Sequence, residues 1–491
     1  MGRSKAGADD RSITAGSDFL QLTVEDAPAG GLSDWLTRHL RLAISDGRVP
    51  IGSRLPATRV LAAELQVSRG VVTEAYQRLT EDGHVAGRGR AGTIVVAAPT
   101  PARPDAVQSA ATAPFSGPPG VDIFDALRAA PARIDLSPGV PDLAAFPRTA
   151  WLRAERSVLK GLAAVDFGYG DPCGTPALRT AVAHWLARNR GIRVDAREVI
   201  IVTGVSQALA LIAQILVQQG ISAVAVEEPG SLGARQLLQS WQLATPPVSV
   251  DAAGIRVDEL RSAVVMLTPA HQFPTGVVLD GDRRRELLKW AHGGGLIIED
   301  DYDAEHRYDR PPVPAIRSML AEQVFYAGSV SKLLAPALRV GWLLAPPKYR
   351  DAVVAAKRNA DLGNAVLAQL VLAQLMESGE LERQLRFLRK RHRRRRDAMR
   401  QAIRTYLPGA VVHGAAAGLH LMMTFDAEFA DVELAAAALA QGVKVQPLSW
   451  HRQRPGRPGL VLGYAATAPT DLDEGIATVA RAYRAVSGGK S

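Results

Sequence analysis

The stretch Val199–Val226, VIIVTGVSQALALIAQILVQQGISAVAV, contains 28 residues and no charged side chain. Polar residues and glycines at Thr203–Gly204 and Gln218–Gly220 divide it into two short β-rich runs around a longer apolar centre. This pattern predicts a buried strand, a turn, a helix and a second strand, because a membrane-spanning helix would be apolar without such interruptions.

Short apolar runs of the same kind recur along the chain between longer helical patterns. They are Val199–Val202, Ala223–Val226, Ala263–Leu267, Leu296–Ile298, Val324–Ala327 and Gly341–Leu344. Strands that alternate with helices are typical of a mostly parallel sheet covered on both faces. We therefore predict an α/β domain from residue 134 to the C-terminus.

Composition excludes several classes of protein. The chain has 491 residues, of which 47% are hydrophobic and 22% charged, as in folded proteins with more than one domain. A single cysteine, Cys173, excludes an internal disulfide and a thiolate zinc site, and we predict no metal. Met1–Ser17 lacks the apolar segment of a signal peptide, so we expect a cytoplasmic protein without a membrane partner.

The composition also changes along the chain. Ala97–Pro119 is rich in Ala and Pro, which predicts a linker. We expect a flexible N-terminus at 1–31, a helical unit at 32–97, a linker at 98–133 and the α/β domain at 134–491, with a smaller α+β subdomain from about 380. Arg383–Arg400 holds ten Lys or Arg and one Asp, which fits a solvated or interface helix or a nucleic-acid patch.

Two short predicted helices in the N-terminal unit are separated by Gln66–Ser68. The first spans about Thr58–Leu65, and the second has its apolar positions on one stripe, with Ser68 placed as its N-cap. Two such helices joined by a short turn indicate a helix-turn-helix, although any three-helix unit has similar stripes. Gly83–Val96 has the Gly-rich, β-branched composition of a wing hairpin.

Particular residues of this unit resemble the winged helix-turn-helix of the GntR regulators. They are Gly52-Ser53-Arg54-Leu55-Pro56-Ala57-Thr58-Arg59, Leu61-Ala62, Leu65, Val67-Ser68-Arg69, Val72, Tyr76, Leu79 and Gly83. The resemblance implies binding to double-stranded promoter DNA. The implied contacts are Arg59, Ser68, Arg69 and Thr73, with Arg88 and Arg90 on a wing that Gly89 or Gly92 brings near the DNA backbone.

Three segments of the α/β region are weak signals alone. They are Thr203–Gln207, where a helix N-terminus suits an anion, Glu299–Asp303 at the end of an apolar run, and Ser329–Lys332 followed by Arg339. Together they supply the amine, carboxylate, hydroxyl and cationic cradle that pyridoxal 5'-phosphate requires. A lysine among apolar residues has a lowered pKa, which Schiff-base chemistry needs.

The α/β region resembles a fold type I, pyridoxal phosphate-dependent aminotransferase domain, since Ser-x-Ser-Lys with a downstream Arg matches that family. The resemblance implies Lys332 as the catalytic Schiff-base residue and Asp300 on the ring nitrogen. It places Tyr302 near the phenolic oxygen. The implied phosphate ligands are Ser329, Arg339, Ser206 and Gln207, with Tyr169 reaching across a dimer interface; His271–Gly276 matches a loop beside the cofactor.

The whole arrangement resembles the MocR subfamily of GntR transcription regulators. This resemblance implies a head-to-tail homodimer in which the cofactor or an amino compound acts as effector. Two positions depart from relatives. Ser231 replaces an aromatic that stacks on the ring, unless Trp241 or another aromatic substitutes. Val461 replaces a carboxylate-binding Arg, for which Arg454 or Arg457 is the alternative. We therefore favour a sensor that is not an enzyme. An active aminotransferase with a DNA-binding domain and a regulator that has lost the cofactor stay open.

Overall fold

The computed structural model describes residues 31–89, 92–98, 114–308, 313–414 and 417–488. The chain divides into two compact units, Met1–Gln108 and Ser109–Ser491. Residues 1–30 of the predicted flexible N-terminus, residues 99–113 of the predicted linker and the predicted DNA contact Arg90 lie outside the described residues.

The first unit packs three helices and a hairpin around one apolar core. Its elements are α1 (Leu32–Ser45), α2 (Thr58–Glu64), α3 (Arg69–Glu81), β1 (Val85–Gly87) and β2 (Thr93–Val95), the strands pairing antiparallel. Val72, Ala75, Tyr76 and Leu79 of α3 are buried, as their helical spacing predicts. The predicted winged helix-turn-helix is confirmed.

The second unit contains the remaining helices and strands. The helices are α4 (Ile123–Ala129), α5 (Arg148–Gly161), α6 (Pro176–Arg190), α7 (Val205–Gln218), α8 (Leu232–Ser240), α9 (Gly281–His292), α10 (Pro347–Asp361), α11 (Val366–Glu377), α12 (Glu380–Tyr406), α13 (Asp431–Ala440) and α14 (Pro469–Gly488). The strands are β3 (Ile134–Asp135), β4 (Ile200–Val202), β5 (Ala225–Glu228), β6 (Pro247–Asp251), β7 (Gly254–Ile255), β8 (Val264–Leu267), β9 (Leu296–Asp301), β10 (Val324–Ser329), β11 (Gly341–Leu344), β12 (Ala410–His413), β13 (His420–Phe425), β14 (Val443–Lys444), β15 (Gln446–Pro447) and β16 (Gly459–Gly463).

A large mixed sheet forms the centre of the second unit. Its strand order is β4-β11-β10-β9-β8-β5-β6-β7. The five strands from β10 to β6 run parallel, and β4, β11 and β7 pair antiparallel at the two ends. The apolar runs that predicted these strands are buried on both faces. The charge-free stretch 199–226 forms β4, α7 and β5, as predicted.

A smaller subdomain packs a four-stranded antiparallel sheet, β12-β13-β16-β15, against α12, α13 and α14. Ile134 and Asp135 in β3 pair with β14, so the start of the predicted α/β domain belongs to this subdomain. The basic run lies on α12, where Arg391 and Arg395 both contact the buried carboxylate of Asp142 at 2.8 Å. These contacts favour the interface helix over a nucleic-acid patch.

The linker prediction at 98–133 is wrong for its C-terminal part. Phe115 stacks on Trp450 at 5.3 Å between ring centroids, and α4 buries Ile123 and Leu127 against Leu232. The Pro- and Ala-rich composition of the preceding residues predicted a linker across the whole segment. The apolar side chains at its C-terminal end instead pack against Leu232 and Trp450.

Hydropathy along the described helices gives no candidate membrane span. The apolar α7 is 14 residues long, shorter than the about 20 residues that a helix needs to cross a bilayer.

Candidate functional site

The helix-turn-helix presents an exposed polar surface at the start of α3. The Ser68 hydroxyl accepts a hydrogen bond from the Val71 N–H at 3.4 Å, so Ser68 is the N-cap of α3, as predicted. Thr73 and Arg69 are exposed, and the Thr73 hydroxyl donates to the Arg69 carbonyl at 2.8 Å. Arg59 of α2 is also exposed. The predicted contacts therefore lie on α2 and the first two turns of α3, accessible to a partner.

The hairpin of β1 and β2 follows α3. Arg88 is exposed beside its turn, and Gly89 and Gly92 both have positive φ, which L side chains rarely adopt. A Cβ at Gly92 would lie 2.7 Å from Arg54 Nε, so Gly92 leaves space for this exposed arginine. Arg54 belongs to the motif that resembles GntR regulators, but no local feature of the sequence marks it as a DNA contact.

A cavity of about 810 Å³ opens in the second unit at the carboxyl ends of the parallel strands. Its lining includes Ser231 after β5, Thr268 after β8, Asp300 on β9 and Ser329 at the end of β10. Ligand sites of α/β sheets lie at this edge because the strand ends leave a crevice there.

One part of the lining suits a phosphate. Val205 and Ser206 form the first turn of α7, whose free N–H groups and dipole favour an anion. Gly204 has φ +112°, and a Cβ there would lie 3.4 Å from Arg339 Nη1, so the guanidinium lies against the start of α7. Ser329 is buried at the same wall. The structure brings Ser206, Ser329 and Arg339 together in the lining of the cavity, and their role as phosphate ligands stays a prediction.

Gln207 does not line the cavity, against the prediction. Its amide accepts a hydrogen bond from the Thr203 N–H at 2.8 Å and donates to Asp361 Oδ2 at 2.7 Å. Both polar groups of this side chain therefore have partners outside the cavity. The competing partner Asp361 lies 154 residues away in sequence, and the local motif contains no signal for it.

Lys332 and Asp300 face the centre of the cavity. The Lys332 amine donates to the Gly139 carbonyl at 2.5 Å, and burial lowers its pKa although Asp303 and Asp300 act in the opposite direction. Burial, together with the neighbouring charges of Asp301 and Asp303, raises the pKa of Asp300 to about 7, although the Lys332 amine acts in the opposite direction. Asp300 Oδ1 is buried and has no hydrogen-bond partner within the described residues.

These groups fit pyridoxal phosphate. A buried carboxylate oxygen without a partner is costly unless a ligand supplies a donor, and the protonated ring nitrogen of this cofactor is such a donor. The lowered pKa of Lys332 favours the neutral amine that reacts with an aldehyde. The cavity thus contains an amine, a carboxylate and a phosphate cradle in one space.

Tyr302 is held by a buried histidine. Its hydroxyl donates to the His271 carbonyl at 3.0 Å and lies 3.0 Å from His271 Nδ1, which is 3.0 Å from Asp303 Oδ2. His271 and Asp303 are both 1% exposed. The sequence placed His271 in a loop beside the cofactor, but it did not reveal that Asp303 fixes this histidine, because the two lie in different loops.

The two departures from relatives have different outcomes. Ser231 lines the cavity, whereas Trp241 packs in the core behind β5, so Trp241 does not replace the missing aromatic. The aromatic rings that do line the cavity are Phe124, Phe273, Tyr302, His420 and His451. Phe124 comes from α4, inside the predicted linker.

Val461 is fully buried in β16 and has no access to a ligand. Arg454 donates to the Ser249 hydroxyl at 3.1 Å and the Pro247 carbonyl at 3.0 Å, and Arg457 lies near Asp426. Neither arginine lines the cavity. The expectation that one of them replaces the carboxylate-binding Arg is therefore wrong.

Tyr169 is 96% exposed and lies outside the lining of the cavity in its own chain. Val165 and Phe167 beside it are also largely exposed. A role for Tyr169 at the phosphate would need a second copy of the chain, which leaves this role a proposal.

Comparison with known proteins identifies both units. Residues 32–95 match the family "Bacterial regulatory proteins, gntR family", and residues 132–477 match "Aminotransferase class I and II". The fold and the cavity thus define a GntR-type DNA-binding domain joined to an aminotransferase domain.

Two regulators align with about nine-tenths of this chain, and an aminotransferase of known structure aligns with a smaller part of it. The probable rhizopine catabolism regulatory protein MocR of Rhizobium meliloti is 32% identical over 92% of this chain and 93% of its own. The pyridoxine biosynthesis transcriptional regulator PdxR of Corynebacterium glutamicum is 29% identical over 88% and 91%. LysN, an α-aminoadipate aminotransferase of Thermus thermophilus solved with N-(5'-phosphopyridoxyl)-L-leucine, is 25% identical with a TM-score of 0.68 over 77% and 97%. The chain belongs to the MocR subfamily of GntR transcription regulators.

Proposed function

We propose that this regulator binds pyridoxal 5'-phosphate through Lys332 and responds on DNA either to the cofactor itself or to an amino compound that reacts with it. The observation that carries the proposal is the buried, unpartnered Asp300 Oδ1 in the same cavity as Lys332. Because the target of the protein is promoter DNA, we place it in the cytoplasm.

Each part of the cavity then has a role. Asp300 pairs with the ring nitrogen, and Tyr302, oriented by His271, lies near the phenolic oxygen. The start of α7 with Ser206, together with Ser329 and Arg339, binds the phosphate. When bound, the cofactor supplies an aldehyde that captures amines.

Tyr169 supports a further proposal about assembly. Its exposed ring is free to reach a second copy, and we propose a head-to-tail homodimer in which it completes the phosphate site of the partner. A dimer would also place two DNA-binding units on one operator, which raises affinity because each unit neutralises few phosphates.

An aminotransferase is the second candidate, since the amine, carboxylate and tyrosine of the site are all present. Efficient transamination also needs a group that orients the substrate carboxylate, and at the position where aminotransferases carry an Arg for this task the chain has the buried Val461. Sustained turnover with an amino donor and a keto acceptor would establish the enzyme, whereas a protein that binds cofactor without turnover would support the sensor.

The cofactor proposal is tested by absorbance. Wild type, Lys332→Ala and the matched control Lys348→Ala, which removes an exposed lysine, are each titrated with pyridoxal phosphate. We expect a visible band from wild type and the control that Lys332→Ala lacks. A wild-type protein that stays colourless would support a regulator that has lost the cofactor, as Ser231 allows.

The DNA proposal is tested by a gel shift on the intergenic region beside the gene. Arg69→Ala should weaken retention, whereas Arg48→Ala, which removes an arginine paired with Asp46 in the turn after α1, should not. Equal retention of both variants would contradict the assigned surface. The same assay with and without pyridoxal phosphate and candidate amines reveals which compound acts as effector.

A further inference from the structure

We infer that Arg128, on the short helix α4, binds the carboxylate of an amino acid held in the cavity, so that the effector is an amine that also carries a carboxylate. This inference rests on the proposed function, because the amine of the ligand would react at the cofactor. It adds a binding residue that lies outside the motifs shared with aminotransferases.

The wall of the cavity carries few positive charges. Within the described lining, the Lys and Arg side chains are Lys332, Arg339 and Arg128. Lys332 is assigned to the cofactor and Arg339 lies against the start of α7, where the phosphate binds. Burial lowers the pKa of His420 and of His451 to about 3, so both histidines are neutral at pH 7. Arg128 is the remaining cation available to a second anion.

The Arg128 guanidinium can exchange its present partner for a ligand carboxylate. Its guanidinium pairs with Asp125 on the same exposed face of α4. Exposed ion pairs at this spacing are weak, and a ligand carboxylate that accepts two parallel hydrogen bonds can replace Asp125. Asp135 also lines the cavity, but its carboxylate lies 3.7 Å from the Lys444 amine, which offsets its charge.

Helix α4 itself forms part of the cavity wall. Phe124 and Leu127 line the cavity beside Arg128, and Phe124 lies next to Gly233 at the start of α8. The Lys444 amine donates to the Arg128 carbonyl at 3.2 Å, which fixes the end of the helix. A ligand bound to the cofactor therefore meets apolar side chains and one arginine from the same helix.

The position of α4 in the chain gives the contact a regulatory consequence. The second unit begins at Ser109, and its first described residues, from residue 114, lead through Phe115 into α4. A ligand that binds Arg128 adds a contact between α4 and the cavity, and it therefore stabilises the docked helix. Ligand binding would thus act on the end of the connection to the DNA-binding unit.

The test compares amines that differ only in the carboxylate. L-Alanine and β-alanine are matched by ethylamine, and 4-aminobutyrate by propylamine. Each is titrated into cofactor-loaded wild type, Arg128→Gln and the control Arg133→Gln, and binding is followed by the change in cofactor absorbance. Arg133 lies on the same segment, bonds to Glu474 and does not line the cavity.

We expect wild type and Arg133→Gln to bind at least one amino acid about tenfold or more tightly than its matched amine. Arg128→Gln should lose this preference while its response to the bare amine stays the same. The effect of that amino acid on the gel shift should be lost in the same variant.

Two results would overturn the inference. One is a wild-type protein with a visible cofactor band but no preference for the carboxylate. The other is a preference that Arg128→Gln retains. Absence of the visible band in wild type is a different outcome, because it overturns the proposed function and the inference together.

Discussion

Replacement of Asp300 by Asn should stabilise the cofactor-free protein and weaken cofactor binding. The pKa of Asp300 is raised to about 7 from an ordinary value of 3.8, because the carboxylate is buried beside Asp301 and Asp303. A group with a raised folded-state pKa favours the folded protein below its unfolded pKa, and this contribution is lost as the pH rises toward 7. Above pH 7 the folded protein therefore carries the cost of an ionised, buried Asp300.

The magnitude follows from the shift. One pKa unit corresponds to 1.36 kcal/mol, so a rise of about three units gives about 4 kcal/mol. Asp300 is partly open to the cavity, where water reduces this cost, and we expect about 2 kcal/mol at pH 8. Near pH 4 most of the difference in the free energy of unfolding between wild type and Asp300→Asn should disappear, since the wild-type carboxyl is then protonated in the folded protein.

The assay is thermal unfolding of cofactor-free protein at pH 8 and pH 5. Asp300→Asn should raise the midpoint of the second unit at pH 8 by about 2 °C and by less at pH 5. Pyridoxal phosphate should stabilise wild type much more than the variant, because a neutral amide pairs poorly with a protonated ring nitrogen. Asp258→Asn, which removes an exposed carboxylate paired with Arg256, serves as the control and should not raise the unfolding midpoint at pH 8.

Two outcomes would refute this reasoning. If Asp300→Asn is no more stable than wild type at pH 8, the buried carboxylate carries no cost in the folded protein. If the variant binds pyridoxal phosphate as tightly as wild type, Asp300 is not the partner of the ring nitrogen.

Three further changes test other parts of the structure. Arg190→Met should lower the free energy of unfolding by about 3–5 kcal/mol in thermal or urea unfolding, because it leaves Asp301, 2.5 Å from the lost Nε, buried without its cation. Ser68→Ala should destabilise the first unit by about 1 kcal/mol through loss of the N-cap of α3, and DNA affinity in a gel shift should fall with it. Gly418→Ala should weaken cofactor binding in an absorbance titration, because its Cβ would lie 2.0 Å from His271 Cε1 and displace the support of Tyr302.

The sequence predicted the elements whose signals are local. Ser68 marks the start of α3 because an N-cap needs only a hydroxyl and the next turn of backbone. The apolar runs predicted the strands of the large sheet because a strand buried on both faces has no polar positions. Asp300 lies on β9 and Lys332 follows the end of β10, and the two meet in one cavity because β9 and β10 are neighbours in the parallel part of the sheet.

The residues that the sequence missed depend on contacts between distant segments. Arg128 and Phe124 line the cavity only because α4 packs on Leu232 and Trp450, more than 100 residues away. Their own segment follows a Pro- and Ala-rich stretch, and its composition predicted a linker. Trp241 is close in sequence to Ser231, but it packs against the apolar core and does not line the cavity. Closeness in sequence therefore did not predict which aromatic side chains reach the cavity.

The buried acids around the cavity separate structural from ligand-binding roles. Glu227, Glu299 and Asp300 all have pKa values raised to about 7, chiefly by burial. Glu227 accepts hydrogen bonds from the N–H and hydroxyl of Thr268 at 3.0 and 2.8 Å, and Glu299 accepts from two backbone N–H groups at 2.9 Å. These two carboxyls connect strands to loops.

Asp300 differs from these two acids in one respect. Its Oδ1 atom is buried and has no partner within the described residues, although the Asp300 side chain as a whole is partly open to the cavity. The described part of the fold supplies hydrogen-bond donors to Glu227 and Glu299 but none to Asp300 Oδ1, so we expect a ligand to supply the donor for that oxygen. A bound cofactor that pairs with Asp300 would remove the cost of a buried carboxylate oxygen without a donor. Cofactor binding should therefore stabilise the whole second unit, including α4.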